Sequence, residues 1–211
     1  MKYLSTKKGF INPISLLILM SIAMPVAFNA WSAMLNNFVV EKAAFTGVEI
    51  GILQSLREVP GFLSFTLIFV LLIIKEQTFA VFALALLGLG VCMTGFFPTV
   101  YGLYFTTILM STGFHYFEAV KQSLSLQWLS KDEAPMVLGR LLAVGSLTSL
   151  IVYGCLWALL EVFQLPYLVN FVIAGGICIL LAFVMYIGFP SFPSKVEQNQ
   201  NLVLRKRYWL Y

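Results

Sequence analysis

The sequence predicts an all-α, polytopic membrane protein: a transmembrane bundle of six spans with both chain ends on the cytoplasmic side. Three observations lead there. Apolar residues make up 60% of the 211 residues and charged residues only 10%, against about 25% charged in soluble domains. Six apolar runs reach the roughly 20 residues that a helix needs to cross a bilayer. The cationic residues also collect at one set of run ends. So few charges cannot coat a soluble surface, which excludes a cytosolic enzyme, a nucleic-acid-binding domain and a disordered chain. The net charge of +4 is a matter of membrane sidedness, not of a nucleic-acid partner.

The spans are expected at about 13–35, 48–74, 78–97, 99–128, 136–160 and 166–189, forming one bundle over 1–189. Helices are favoured over strands because the runs do not alternate and exceed the roughly 9–11 residues of a barrel strand. A helix also satisfies its own backbone groups in lipid. The breaks are chemically apt. Asn36-Asn37 to Gly47 is polar, Lys75-Glu76-Gln77 is a tight charged turn, and Phe97-Pro98-Thr99 is a proline break. Ser130 to Pro135 is a charged loop, and Glu161 to Pro166 closes the fifth span. Lys7-Lys8 before an apolar run looks like the start of a signal peptide. The run is long enough to span, however, and Trp31 occupies a position that wants a small residue. Cys92, Cys155 and Cys178 fit no metal spacing and are expected as free thiols packed between helices.

Of the 13 Lys and Arg, all but Lys42 and Arg57 fall at the N-terminus, the 2–3 turn, the 4–5 region or the tail. Cytoplasmic loops carry the excess of Lys and Arg, so both termini are placed in the cytoplasm and the protein in the cell inner membrane. Residues 190–211 read as a polar cytoplasmic linker followed by Leu202–Tyr211, a basic-aromatic stretch. That stretch suits either a surface anchor or the start of a seventh span, in which case the sequence is a fragment of a longer protein.

Several motifs carry a family resemblance. Phe38 to Lys42 and Gly47-Val48-Glu49-Ile50-Gly51 resemble a short outer loop leading into a second helix that begins Glu-Ile-Gly. Gly139-Arg140 resembles a Gly-Arg start of a fifth helix, and Gly113 lies in a long fourth helix with a cytoplasmic extension. Over essentially the whole chain, this pattern resembles the N-terminal six-helix half of a major facilitator superfamily transporter. The family's Gly-rich 2–3 turn is replaced by Lys75-Glu76-Gln77, and Gly145, Ser149 and Gly154 stand without the antiporters' Gly-Pro step. The resemblance implies two inverted three-helix repeats, with the first and fourth helices lining a substrate cavity. Ile18-Leu19-Met20-Ser21 recurs as Ile108-Leu109-Met110-Ser111, either an echo of the repeat or chance reuse of apolar residues.

Charge within a span costs about 2.5–3.5 kcal/mol at the centre of an inserted helix, so it marks function by default. In the fourth span His115, Glu118 and Lys121 stand three apart and share a face. His115 and Glu118 suit polar substrate binding or proton coupling, since histidine changes charge near neutral pH. The alternative is a Glu118–Lys121 pair snorkelling to the interface. Arg57 and Glu58 lie about 12 Å into the second span by helical rise. Their adjacent side chains point about 100° apart, so they are not expected to face one partner. One is expected to meet another helix and the other a cavity, or both serve a structural network that pins the second helix against a neighbour, the reading favoured here, with Lys121 and Arg140 completing the intramembrane charge network. Pro60-Gly61 beside them is expected to weaken the helix. Asn29, in the first span, is placed to hydrogen-bond either substrate or another helix. Gly88, Gly90, Gly139, Ala143, Gly145, Ser146, Ser149 and Gly175-Gly176 are read as close-packing positions.

His115-x-x-Glu118 supplies two metal-type ligands without a third, and no nucleotide loop or hydrolase motif is present. The expectation is therefore no enzyme, no cofactor, no metal and no catalytic residue. The expected function is a secondary transporter of a small molecule, with proton coupling open. Its expected partners are the bilayer, the substrate, and a missing C-terminal half or second copy. The alternative is a non-transporting six-span scaffold or assembly subunit, or a nonfunctional truncated remnant.

Overall fold

A computed structural model describes residues 11–193. The terminal lysines and the proposed linker and seventh span beyond residue 193 lie outside the described residues. Among these residues the fold is wholly helical. The first helix, α1 (Pro13–Ala43), is capped by Asn12, whose side chain accepts from Ser15 N at 2.8 Å. It runs eight residues past the predicted end at Leu35. Asn36 and Asn37 are exposed and continue its backbone ladder rather than break it. Ala44, in the left-handed region at φ 52°, stops it, and Phe45 N donates to Val39 O at 3.1 Å.

The second run is not one helix. A Thr46–Glu49 capping box opens α2 (Gly47–Phe62). After Pro60 and Gly61 the chain tightens into a 3₁₀ turn at Leu63–Thr66, then a short α3 (Leu67–Leu71). Proline removes one backbone bond and its ring crowds the preceding turn, so the expected weak point becomes the helix end. Next come α4 (Glu76–Thr94), α5 (Val100–Trp128), α6 (Ala134–Trp157) with a π-helical turn at Ala158–Val162, and α7 (Tyr167–Gly188).

Among the described residues, four helical stretches are long and apolar enough to cross a membrane: α1, α4, α6 with its π turn, and α7. The two others expected as spans fall short for visible reasons. The second is interrupted at Phe62. The helix α5 has the length, 29 residues, but its Thr, Ser, Tyr, His, Glu and Lys residues lower its hydropathy.

The helix α4 is the hub, packed against α5 on one side and α7 on the other, while α1 packs on α6 and α7 and α2 packs on α5. Glycines set the closest crossings. A Cβ on Gly88 would lie 2.7 Å from Gly175 O, and one on Gly175 would lie 2.3 Å from Gly88 O. A Cβ on Gly113 would lie 2.3 Å from Leu87 N, and one on Gly90 would lie 2.5 Å from Met110 N. Gly139 and Gly176, also expected at close crossings, have nothing within 4 Å. They face outward because α6 and the far side of α7 have no neighbour there. Cys178 is buried and Cys92 half-buried, but Cys155 is exposed on α6 for the same reason, against the expectation that all three pack between helices.

Polar ties close each end of the bundle. At one end, Glu76 Oε2 accepts from Gln127 Nε2 at 2.6 Å and Ser123 Oγ at 3.1 Å, joining the start of α4 to the end of α5. Gln77 holds the segment after α7 with both ends of its amide. Its Nε2 donates to Pro190 O and its Oε1 accepts from Phe192 N, each at 2.9 Å. At the other end Tyr167 OH donates to Glu41 Oε1 at 3.2 Å, and Phe38 meets the Tyr167 and Phe171 rings edge-on.

Gly113→Leu is expected to destabilise the protein by about 1–3 kcal/mol or more, because the added atoms meet backbone rather than movable side chain. Gly139→Ala, in open space on a helix, is expected to be neutral or to stabilise by up to about 1 kcal/mol. Thermal unfolding of the detergent-solubilised variants separates the two.

Candidate functional site

The polar residues predicted within the spans assemble into three groups. The first joins α2 to α5. Arg57 Nε and Nη2 donate to Glu58 Oε1 at 2.9 and 2.8 Å. The other carboxylate oxygen, Glu58 Oε2, lies 3.8 Å from His115 Nε2. The expectation that adjacent Arg57 and Glu58 must seek different partners is therefore corrected. The long guanidinium arm curls back along the helix surface and bridges the 100° between them. His115 has room because residue 61 is glycine: a Cβ there would lie 2.8 Å from His115 Cε1. The neighbouring Phe114 stacks on Phe28 of α1, with ring centroids 4.1 Å apart at 14°, and meets the imidazole edge-on at 5.0 Å. Ser111 Oγ donates to Arg57 O, a further tie between the same two helices.

This group is open on one side. The side chains of His115, Arg57 and Glu58 are 23%, 30% and 60% exposed. His115 Nε2 is itself buried without a hydrogen-bond partner. Glu58 is thus shared between a permanent cation and a side chain that is cationic only when protonated.

The second group is Glu118 with Lys121, at 3.6 Å. The ammonium lies 5.8 Å from the Phe117 ring centroid. This pair follows the spacing read from the sequence, but it does not join the first group, so the proposed four-residue charge network divides. Arg140 belongs to neither part. It is exposed near the start of α6 and makes no ion pair among the described residues.

The third group is Asn29, whose Nδ2 donates to Ser149 Oγ of α6 at 2.6 Å, while Ser149 Oγ donates to Gly145 O at 2.9 Å. This bond is a helix–helix contact of the kind that was one of the two roles left open for Asn29. The small residues of α6 matter here less as a groove than as one acceptor.

Sequence reasoning missed Gly61 as the position that admits the imidazole, and Ser111. It also missed the Thr66–Tyr116 hydroxyl pair at 2.6 Å that links the 3₁₀ turn to α5. Only Pro60-Gly61 beside an ionic pair signalled any of this. Among the described residues no cluster of three His, Cys, Asp or Glu is placed to hold a metal.

No family model matches the chain, and neither a curated protein nor a solved structure matches it.

In a double-mutant cycle of Glu58→Gln and His115→Gln, unfolding in detergent should give a coupling of about 0.2–1 kcal/mol, the scale of partly exposed pairs. A cycle of Asn29→Ala and Ser149→Ala should give about 0.6 kcal/mol, the average for such bonds in membrane helices.

Proposed function

We propose that this chain is one six-helix half of a secondary transporter that moves a small molecule across the cell inner membrane by alternating access, with both termini cytoplasmic. One observation carries the reading: the half-open Arg57–Glu58–His115 cluster on α2 and α5. A carboxylate that faces lipid is strongly disfavoured, yet Glu58 is 60% exposed and Glu118 42%. Their open side therefore turns towards water or towards another protein bundle, the placement expected of groups lining a solute path. His115 and Glu58 are assigned to substrate or proton binding, and Arg57 holds the carboxylate.

Two further features support the half-transporter form. Exchanging α1 with α5, α2 with α6 and α4 with α7 maps the main helix pairings onto themselves: α1–α6 onto α5–α2, α1–α7 onto α5–α4, and α4–α7 onto itself. That is the pattern of two three-helix repeats. The apolar stretch of α6 is also only 11% buried, leaving a surface for a second bundle, from a further part of the protein or a second copy. In this reading the two bundles rock about the cluster.

Proteoliposomes carrying the chain assembled with its second bundle, a further part of the protein or a second copy, are expected to accumulate at least one solute from a panel of radiolabelled sugars, amino acids and organic ions. His115→Ala and Glu58→Gln should each cut that uptake by about tenfold, equivalent to about 1.4 kcal/mol of lost binding. Unchanged uptake at normal expression overturns the site. A panel with no uptake at all favours the scaffold role. Sidedness is tested by thiol labelling of Asn37→Cys and Lys131→Cys in a chain with its three cysteines replaced by serine. The two are expected to react from opposite sides of the membrane, and reaction from the same side overturns the topology.

A further inference from the structure

A groove of about 570 Å³ lies on the outer face of α4. Phe79, Phe82, Leu86 and Leu89 of α4 line it, with the small Ala83 and Ala85 on the two flanks of that stripe. Spacings of three and four place this stripe on one helix face. Val70 of α3, Thr112 and Tyr116 of α5 and Ile179 of α7 complete the walls. The groove exists because the second run gives way to a 3₁₀ turn after Phe62. The short α3 that follows buries only Leu67 and does not cover α4.

Its chemistry is almost purely apolar, and the reason is local. The two polar residues in its wall spend their hydroxyls on the protein. Thr112 Oγ1 donates to Ile108 O at 2.8 Å, and Tyr116 OH pairs with Thr66 Oγ1 at 2.6 Å. With Thr66 Oγ1 donating in turn to Leu63 O, neither wall hydroxyl has a proton left to offer a polar solute. The length is also specific. From Phe79 to Leu89 the helix rises about 15 Å, which equals one leaflet of a hydrocarbon core about 30 Å thick. Lys75 stands one turn before Phe79, where its carbonyl accepts from Phe79 N at 2.9 Å. Its side chain is exposed and makes no ion pair among the described residues.

The geometry points to a binding site for one anionic phospholipid, its acyl chain laid along the α4 stripe and its phosphate beside Lys75. The apolar trough fits the chain, the leaflet length fixes its depth, and the cation at the interfacial end selects the headgroup. The inference rests on the membrane placement of α4, not on transport. The site is separate from the Arg57–Glu58–His115 cluster, so the two stand or fall independently.

The test uses the full chain in phosphatidylcholine vesicles doped with either phosphatidylglycerol or phosphatidylcholine bearing a photoactivatable diazirine on one acyl chain. Crosslinked peptides are mapped by mass spectrometry. Phosphatidylglycerol is expected to label residues 79–89 several-fold more than the exposed α7 face around Leu180. That face serves as the measure of ordinary boundary lipid and of insertion itself. Ala85→Trp, which narrows the groove, should bring groove labelling down to the α7 level. Lys75→Glu should lower phosphatidylglycerol labelling by about fivefold, the worth of one lysine beside an anionic surface, and leave phosphatidylcholine labelling unchanged. Equal labelling of groove and α7 face overturns the site, as does equal labelling of the groove by the two lipids.

Discussion

Backbone meets backbone where α4 crosses its neighbours, and the bundle is organised around that contact. Gly88 and Gly175 each occupy the space a side chain would need on the other helix, and Gly90 and Gly113 do the same between α4 and α5. In lipid there is no hydrophobic gain in bringing two apolar helices together, so close van der Waals packing has to supply the attraction. With α4 held on both flanks, α2 is placed at second hand through α5, while α1 is held mainly by α6 and α7 and touches α4 and α5 as well. The helix α6 is held mainly by α1 and keeps most of its surface free.

The same scarcity of strong attractions explains how the charges are handled. Only a few ionisable groups lie within the helices, and those nearest the middle come in combinations. Arg57 neutralises Glu58, Lys121 neutralises Glu118, and His115 rests against a carboxylate that already has a partner. Neither pair is sealed. A buried pair with every lone pair satisfied would act as a rivet. These have one side open and buried polar atoms without hydrogen-bond partners, His115 Nε2 and Glu118 Oε1. Incomplete satisfaction is costly in a low-dielectric setting, and it leaves hydrogen-bonding capacity for something else to use.

Much of the fold could be read from the chain, because helix formation in an apolar run is a local matter. The starts and ends of α5 and α7 lie within a residue or so of the expected ones. The errors are where a local signal has two physical outcomes. Asn36-Asn37 looks like a break, yet asparagines at the exposed end of a helix need not interrupt its ladder, and α1 continues to Ala43. Pro60-Gly61 can kink a helix or end one, and only packing decides. The site was legible as a set of residue types, not as an arrangement. Which oxygen of Glu58 faces His115, or that Ser149 takes the Asn29 amide, depends on helix rotation, about which hydropathy is silent. Gly61 looked like a weakness in α2, and its tertiary role is to admit an imidazole from α5.

The amide of Gln77 grips the strap after α7 at two points, Pro190 and Phe192, while the adjoining Glu76 grips the end of α5. The first turn of α4 is thereby a junction box for three parts of the chain. A tug on the polypeptide downstream of Phe192 is felt first at that junction, rather than being absorbed along α7. From there it passes straight into the most tightly wedged rod of the assembly, so whatever is fused or tethered downstream has a mechanical handle on the hub.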